Sequence, residues 1–142
     1  MEHNVEVRLH DFIQRRCDLK DSINAMMQME KVAINEEARS LMLFFPVQEW
    51  QLNPAKTMHG GMICTLMDMS MAAIAYSFSD AIATPTISMA CNFDCAVYQN
   101  EELHVTCYLD HLGKKIAQTR VIVKNQDGKI VASANGSYAI HR

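Results

Sequence analysis

The chain lacks any cluster of basic residues beyond short pairs such as Arg15-Arg16 and Lys114-Lys115. Its 13 Lys and Arg are outnumbered by 16 Asp and Glu, for a formal net charge of −3. That balance leaves no electrostatic footprint for nucleic acid, and no nucleic-acid partner is expected. No apolar stretch reaches the length of a membrane span, and the start Met1-Glu2-His3-Asn4 is polar and acidic rather than basic and then apolar. A cytoplasmic protein without membrane attachment is therefore expected. There is no CxxC pair and no secretory signal, so the odd set of five cysteines (Cys17, Cys64, Cys91, Cys95 and Cys107) is read as buried, reduced thiols rather than a disulfide framework. Cys91 and Cys95 could share a strand face with His104 or His111 to complete a metal site, but core packing is the favoured reading and no metal is expected. No internal repeat, low-complexity tract or linker divides the chain. With 142 residues, 49% of them hydrophobic, it can form one core and has little room for a second, so a single domain over residues 1–142 is expected.

What the chain has in plenty is methionine, eleven in all. Met58, Met62, Met67, Met69 and Met71 fall in one region, as an adaptable apolar pocket or as core filler. Around that region the pattern of elements is readable. Val5, Leu9, Phe12, Ile13 and Cys17 recur at helical spacing among charged residues and predict an amphipathic surface helix over about 5–20. Strands at 31–35 and 39–47 flank a polar turn as a hairpin, and a loop through Trp50 and Asn53-Pro54 leads to His59. A helix from about Gly60 to Phe78 is apolar nearly all round and should be buried. Residues 86–95 alternate strictly, with Thr86, Ser88, Ala90, Asn92 and Asp94 on one face and Ile87, Met89, Cys91, Phe93 and Cys95 on the other. Strands at 102–109, 116–124 and 129–140 follow as an antiparallel meander. One long apolar helix among about six antiparallel strands predicts an α+β fold in which the sheet curls around the helix.

The chemistry concentrates in His59-Gly60-Gly61 and Asp68. A lone carboxylate on a buried helix needs either a hydrogen-bonded structural role, for which Thr65 three residues earlier is the local partner, or a catalytic one. Free N–H groups at the helix start near Gly60 and Gly61 point outward with the helix dipole behind them, and glycine lets a substrate approach the backbone closely. Such donors suit a carbonyl oxygen on which charge develops, each worth about 10²–10³ in rate. Simple packing of helix against sheet would also explain the glycine pair.

Leu52-Asn53-Pro54 before His59-Gly60-Gly61, then Thr65-Leu66-x-Asp68, then Ser88 and Asn92 on the following strand, with Gly113-Lys114 and Asp127-Gly128-Lys129 in the last hairpins, resemble the hotdog-fold acyl-CoA thioesterases of the PaaI (phenylacetate-degradation) type. The resemblance runs from about Met26 to Tyr138. It implies a hotdog fold and hydrolysis of an acyl-coenzyme A, the thioester being a substrate and no separate cofactor being needed. It makes Asp68 the base or nucleophile, places a backbone N–H donor near Gly61, gives Asn53 a part in holding the attacking water or the carbonyl, and sets Ser88 beside the aspartate. The family often carries glycine where Lys56 stands, and an Arg-Pro or Ser-Pro pair where this chain has Cys95-Ala96-Val97.

His59 has no Ser or Cys nucleophile in a recognised arrangement with it, and is expected either to fix the Asn53 loop by hydrogen bonding or to be purely structural. Asn53 itself is equally readable as a turn residue before Pro54. Thr65, Asp68 and Ala72 share a helix face with room for an acyl group, so Gly60, Thr65, Ser88 and Asn92 are candidate substrate contacts. Lys56, Lys114 and Lys115 could meet the phosphates of coenzyme A, although exposed lysines are usually just solvated. Gly61 and Asp68 lie seven residues apart, about 10 Å of helix rise, too far to share one reacting carbonyl. Two helices antiparallel across a two-fold axis would bring them together, so a dimer with two shared sites is expected. If Ser88 and Asn92 face the helix, the apolar face carrying Ile87, Met89, Cys91 and Phe93 needs a cover, which predicts a dimer of dimers, a homotetramer. The alternative functions are a module that binds or senses acyl-CoA without hydrolysing it and, more remotely, a hydratase, whose expected Asp and His around Asn53-Pro54 are missing.

Overall fold

The computed structural model describes residues 4–142, apart from the side chains of Arg16 and Cys17; the polar start at 1–3 and the placement of Cys17 on a helix face lie outside the described residues. Helix α1 (Val5–Cys17) is opened by Asn4, whose side chain accepts from the N–H of Val7, an N-cap that satisfies one of the otherwise unpaired donors of the first turn. A single helical turn, α2 (Ile23–Met26), follows. The hairpin of β1 (Glu30–Asn35) and β2 (Ser40–Pro46) leads through a 3₁₀ turn at Glu49–Gln51 to the long helix α3 (Gly60–Ser77). Strands β3 (Thr86–Phe93), β4 (Glu102–Leu112), β5 (Ile116–Lys124) and β6 (Ile130–Ala139) complete the chain.

All six strands form one antiparallel sheet in the order β1-β2-β4-β5-β6-β3. Its concave face holds α3. From Leu66 onward that helix is buried at nearly every position, as a helix apolar all round requires. The serines inside it are satisfied locally, Ser70 donating to the carbonyl of Leu66 and Ser77 to that of Ala73, both at 2.7 Å, so neither is an orphan polar group. The methionines Met58, Met67, Met69 and Met71 are buried in the core and act chiefly as filler.

Helix α1 lies on the other side of α3 with Val5, Leu9 and Phe12 buried. Arg8 anchors it: the guanidinium stacks 4.1 Å from the centroid of Tyr76 and donates to the carbonyls of Tyr76 and Ala81. The Tyr76 hydroxyl donates to Asp11, which lowers the carboxyl pKa of Asp11. Among the described residues no helix is long and apolar enough to cross a membrane.

One irregularity changes the site. The pairing of β3 with β6 runs Thr86 to Tyr138 and then Ser88 to Ser137, a bulge that inserts one residue. A one-residue insertion reverses which side chains face the core. Thr86 and then Met89, Cys91 and Phe93 therefore lie on the helix side, opposite Tyr138, Gly136, Ala134 and Ala132, while Ser88, Ala90 and Asn92 lie outside, opposite Ser137, Asn135 and Ser133. The expected orientation of this strand is thus inverted. Met89 and Cys91 pack on the core while Ile87 and Phe93 stay exposed, so the four residues do not form one outward face and the argument from that face to a dimer of dimers loses its premise.

Candidate active site

Asp68 projects from the middle of α3 toward the start of β3 and the end of β6. Its Oδ1 accepts from the Thr86 hydroxyl at 2.5 Å and from the Tyr138 hydroxyl at 2.8 Å. Among the described residues no donor reaches Oδ2. Thr65 is not its partner: that hydroxyl donates to the carbonyl of Gly61 at 2.8 Å. Burial raises the Tyr138 pKa well above the ordinary tyrosine range, and the adjacent Asp68 charge adds to the effect, so Tyr138 stays a proton donor to the carboxylate.

Beside Asp68 opens a cavity of about 320 Å³, walled by Met69 and Ala72 of α3, Thr84 and Pro85 before β3, Phe12 of α1 and Asn24 of α2. Its walls mix apolar Phe12, Met69, Ala72 and Pro85 with polar Asn24, Thr84 and Thr86 around the single carboxylate, which leaves room for a small acyl group next to a reacting centre. Neither Thr86 nor Tyr138 carries a local sequence signature. Tyr138 lies 70 residues from Asp68 along the chain, and only the sheet register brings them together.

The start of α3 is built differently from expectation. His59 is the N-cap, and its Nδ1 accepts from the N–H of Gly61 at 2.9 Å. The ring does not bond Asn53, so the proposed His59 brace on that loop is replaced by a cap on the helix. A Cβ on Gly61 would stand 3.1 Å from Nδ1, so glycine is what leaves room for the imidazole. With Gly61 occupied, the open donor is one residue earlier: among the described residues no acceptor takes the N–H of Gly60. Gly60, read from sequence as a substrate contact, thus holds the free N–H, while the Gly61 donor is spent within the chain.

Asn53 ties its own loop. Its Oδ1 accepts from the N–H groups of Ala55 and Thr57, and its Nδ2 donates to the Thr57 hydroxyl at 2.9 Å. This is the turn role for Asn53, not a side chain aimed at water or a carbonyl. Within that loop Lys56 has φ of 66°, a left-handed conformation that glycine adopts without strain.

Ser88 and Asn92 are exposed on the outer face; Ser88 lines a hollow there with Asp110, Gln118 and Asn135. The expectation that Ser88 sits beside Asp68 fails because of the bulge, and Thr86 occupies that place. Lys114 and Lys115 are exposed in the β4–β5 turn, next to the end of β6, where Ile116 pairs with Ala139. Among the described residues no group of three metal-ligating side chains forms around Cys91; its Sγ lies 3.4 Å from that of Cys64.

Comparison with known proteins agrees with the fold. A family model for the Thioesterase superfamily matches residues 55–132, which span the helix start, Asp68 and Thr86. A candidate esterase of Archaeoglobus fulgidus is 31% identical over 91 residues, 64% of this chain, and the chain spans 58% of that relative's length. Zebrafish thioesterase superfamily member 2 superposes with a TM-score of 0.81 at 20% identity, over 98% of this chain and 99% of that one. The Escherichia coli PaaI protein of the phenylacetic acid degradation operon gives 0.76 at 19% identity, over 97% and 98%. A hypothetical thioesterase of Streptococcus pneumoniae TIGR4, solved with coenzyme A, gives 0.77 at 21% identity, over 93% and 95%. With its hotdog architecture and a family model matched over more than half of its length, the chain belongs to the thioesterase superfamily.

Proposed function

We propose that the protein hydrolyses an acyl-coenzyme A to the free acid and coenzyme A. The observation that carries this reading is Asp68, with two hydroxyls fixing Oδ1 and Oδ2 left open beside a cavity of mixed apolar and polar lining. Such a carboxylate is oriented to activate water or to attack the thioester carbon. The coenzyme A seen with the Streptococcus pneumoniae protein supports the substrate class.

The carbonyl oxygen needs a donor, and the free N–H of Gly60 supplies it. Eight residues separate Gly60 from Asp68, about 12 Å of helix rise, so the two cannot serve one carbonyl within one chain. The edge strand offers a way round. Among the described residues β3 pairs only with β6, leaving its other edge open, and an open edge invites strand addition. Thr86, at one end of β3, bonds Asp68, and Phe93, at the other end, lies 3.7 Å from where a Cβ on Gly60 would stand. Antiparallel pairing of two β3 strands about a two-fold axis lays the Phe93 end of one against the Thr86 end of the other. Gly60 of one chain then meets Asp68 of its partner, giving two equivalent sites per dimer.

A thiol-release assay over a panel of aromatic and fatty acyl-CoAs tests the reading. Turnover of at least one thioester supports it; saturable binding of acyl-CoA with no thiol release would replace it with a binding module. Tyr138→Phe removes one of the two hydroxyls on Asp68 while Thr86 still satisfies the same oxygen. It should lower kcat by about tenfold, the worth of one hydrogen bond to a charged group, with KM little changed in steady-state kinetics.

A further inference from the structure

Outside the Asp68 cavity, the described residues hold one pair of nucleophilic side chains in contact. Cys64 lies in the second turn of α3 and Cys91 on the helix side of β3, with their Sγ atoms 3.4 Å apart. Both are only half-buried, so a small oxidant can reach them. Cys107 is fully buried, and the Cys95 thiol sits against the carbonyl of Ile130. We propose that Cys64 and Cys91 form a reversible disulfide, closed by hydrogen peroxide and opened by a thiol reductant, that clamps the first half of α3 to β3.

The chemistry balances without a further reactant. One thiol gives up its proton, its thiolate attacks a peroxide oxygen and breaks the O–O bond, and the departing hydroxide takes up that proton, giving a sulfenic acid and one water. The sulfur of the second thiol then attacks the sulfenic sulfur, forming the S–S bond and releasing the hydroxyl with the thiol proton as a second water. Burial, with Cys64 and Asp68 nearby, raises the Cys91 pKa to about 11. Cys91 therefore keeps its proton at neutral pH, which suits it to the resolving step.

A disulfide bond is about 2.0 Å long, so closure draws the two sulfurs together by about 1.4 Å. Cys64 stands four residues from Gly60 and four from Asp68, and Phe93, two residues beyond Cys91, packs beside Gly60. A shift of that size between helix start and strand is enough to misplace a catalytic donor, where about 1 Å can cost 10²-fold in rate. This effect on turnover rests on the thioesterase reading; the disulfide itself does not.

The test uses the full chain, treated with hydrogen peroxide without reductant, alkylated, and cut with chymotrypsin, whose sites at Phe78 and Phe93 separate Cys64, Cys91 and Cys95. The expected product in mass spectrometry is the Cys64 peptide joined to the Cys91 peptide, two hydrogens lighter than their sum, released by dithiothreitol and absent from Cys91→Ser. The thermal midpoint of the oxidised protein should rise by about 5 °C or more, as a cross-link over this loop length allows. Turnover of the best acyl-CoA should fall at least tenfold on oxidation and return on reduction, with Cys91→Ser insensitive to peroxide. A link through Cys95, a link between chains, separate sulfinic acids, or no reaction overturns the site. A correct link that leaves an active enzyme unchanged overturns the clamp. A correct link in a reduced protein that hydrolyses no acyl-CoA would instead defeat the thioesterase reading and leave the disulfide standing.

Discussion

Asp68→Asn should lower acyl-CoA turnover by about 10²–10⁴-fold, the range for loss of a positioned base or nucleophile, and should do so in a folded protein. The amide oxygen of asparagine can still accept from Thr86 and Tyr138, which both bond to Oδ1, so the hydroxyls that fix the side chain are not orphaned. Substrate binding should largely survive. The comparison is kcat and KM for wild type and variant, alongside thermal unfolding followed by circular dichroism. A folded variant that retains near wild-type turnover would make Asp68 a structural carboxylate joining α3 to β3 and β6, and the mechanism would fall with it.

The second large effect is expected at the helix start, from a substitution chosen to delete one hydrogen and little else. Gly60 is the first helical residue of α3, the position where proline is best tolerated. The preceding His59 has φ −59° and ψ 133°, the extended backbone that a residue before proline adopts. A side-chain carbon at Gly60 would stand 3.7 Å from the Phe93 ring, an ordinary contact. Gly60→Pro therefore removes the free N–H with the helix kept, and turnover should fall about 10²–10³-fold, as for loss of one oxyanion donor. Gly60→Ala keeps the N–H and should stay near wild type. Equal losses in both variants would mean that space at Gly60 matters and the donor does not.

The parts of this fold that were legible in the sequence are those governed by local periodicity. An all-apolar helix after His59-Gly60-Gly61 and four β-rich runs after Pro85 lead to a helix wrapped by antiparallel strands, and α3 and the sheet are found where they were expected. The family resemblance, carried by residues close together in sequence, survives comparison. The errors came from long-range geometry and from one inserted residue. Strict alternation over 86–95 correctly separated Ser88 and Asn92 from Met89, Cys91 and Phe93, yet the polar set was turned inward to match a serine expected beside the aspartate. A one-sided sheet puts its apolar set on the core, and here it does. The bulge between Thr86 and Ser88 lets Thr86 still face Asp68. Tyr138 was invisible for another reason: a hydroxyl far along the chain has no spacing signal, and its role exists only once β6 lies beside β3. For His59 and Asn53 the sequence leaves two roles each open, because a short polar loop offers several hydrogen-bond solutions of similar energy, and the structure takes the structural one for both. His59 capped the Gly61 N–H, and Asn53 closed its own turn.

The central claim is that each site is built from the helix start of one chain and Asp68 of another, and subunit exchange tests it most directly. Asp68→Asn and Gly60→Pro, each nearly inactive alone, are mixed in equal amounts under conditions that allow protomers to exchange, with mixed dimers counted by native mass spectrometry. In a mixed dimer of shared sites, one site receives both substitutions and the other receives neither. Half of the dimers are then mixed and half of their sites intact, so activity should recover to about a quarter of wild type per protomer. If Gly60 and Asp68 served one site within one chain, every site in the mixture would keep a lesion. Confirmed exchange with no recovered hydrolysis would contradict the two-chain site.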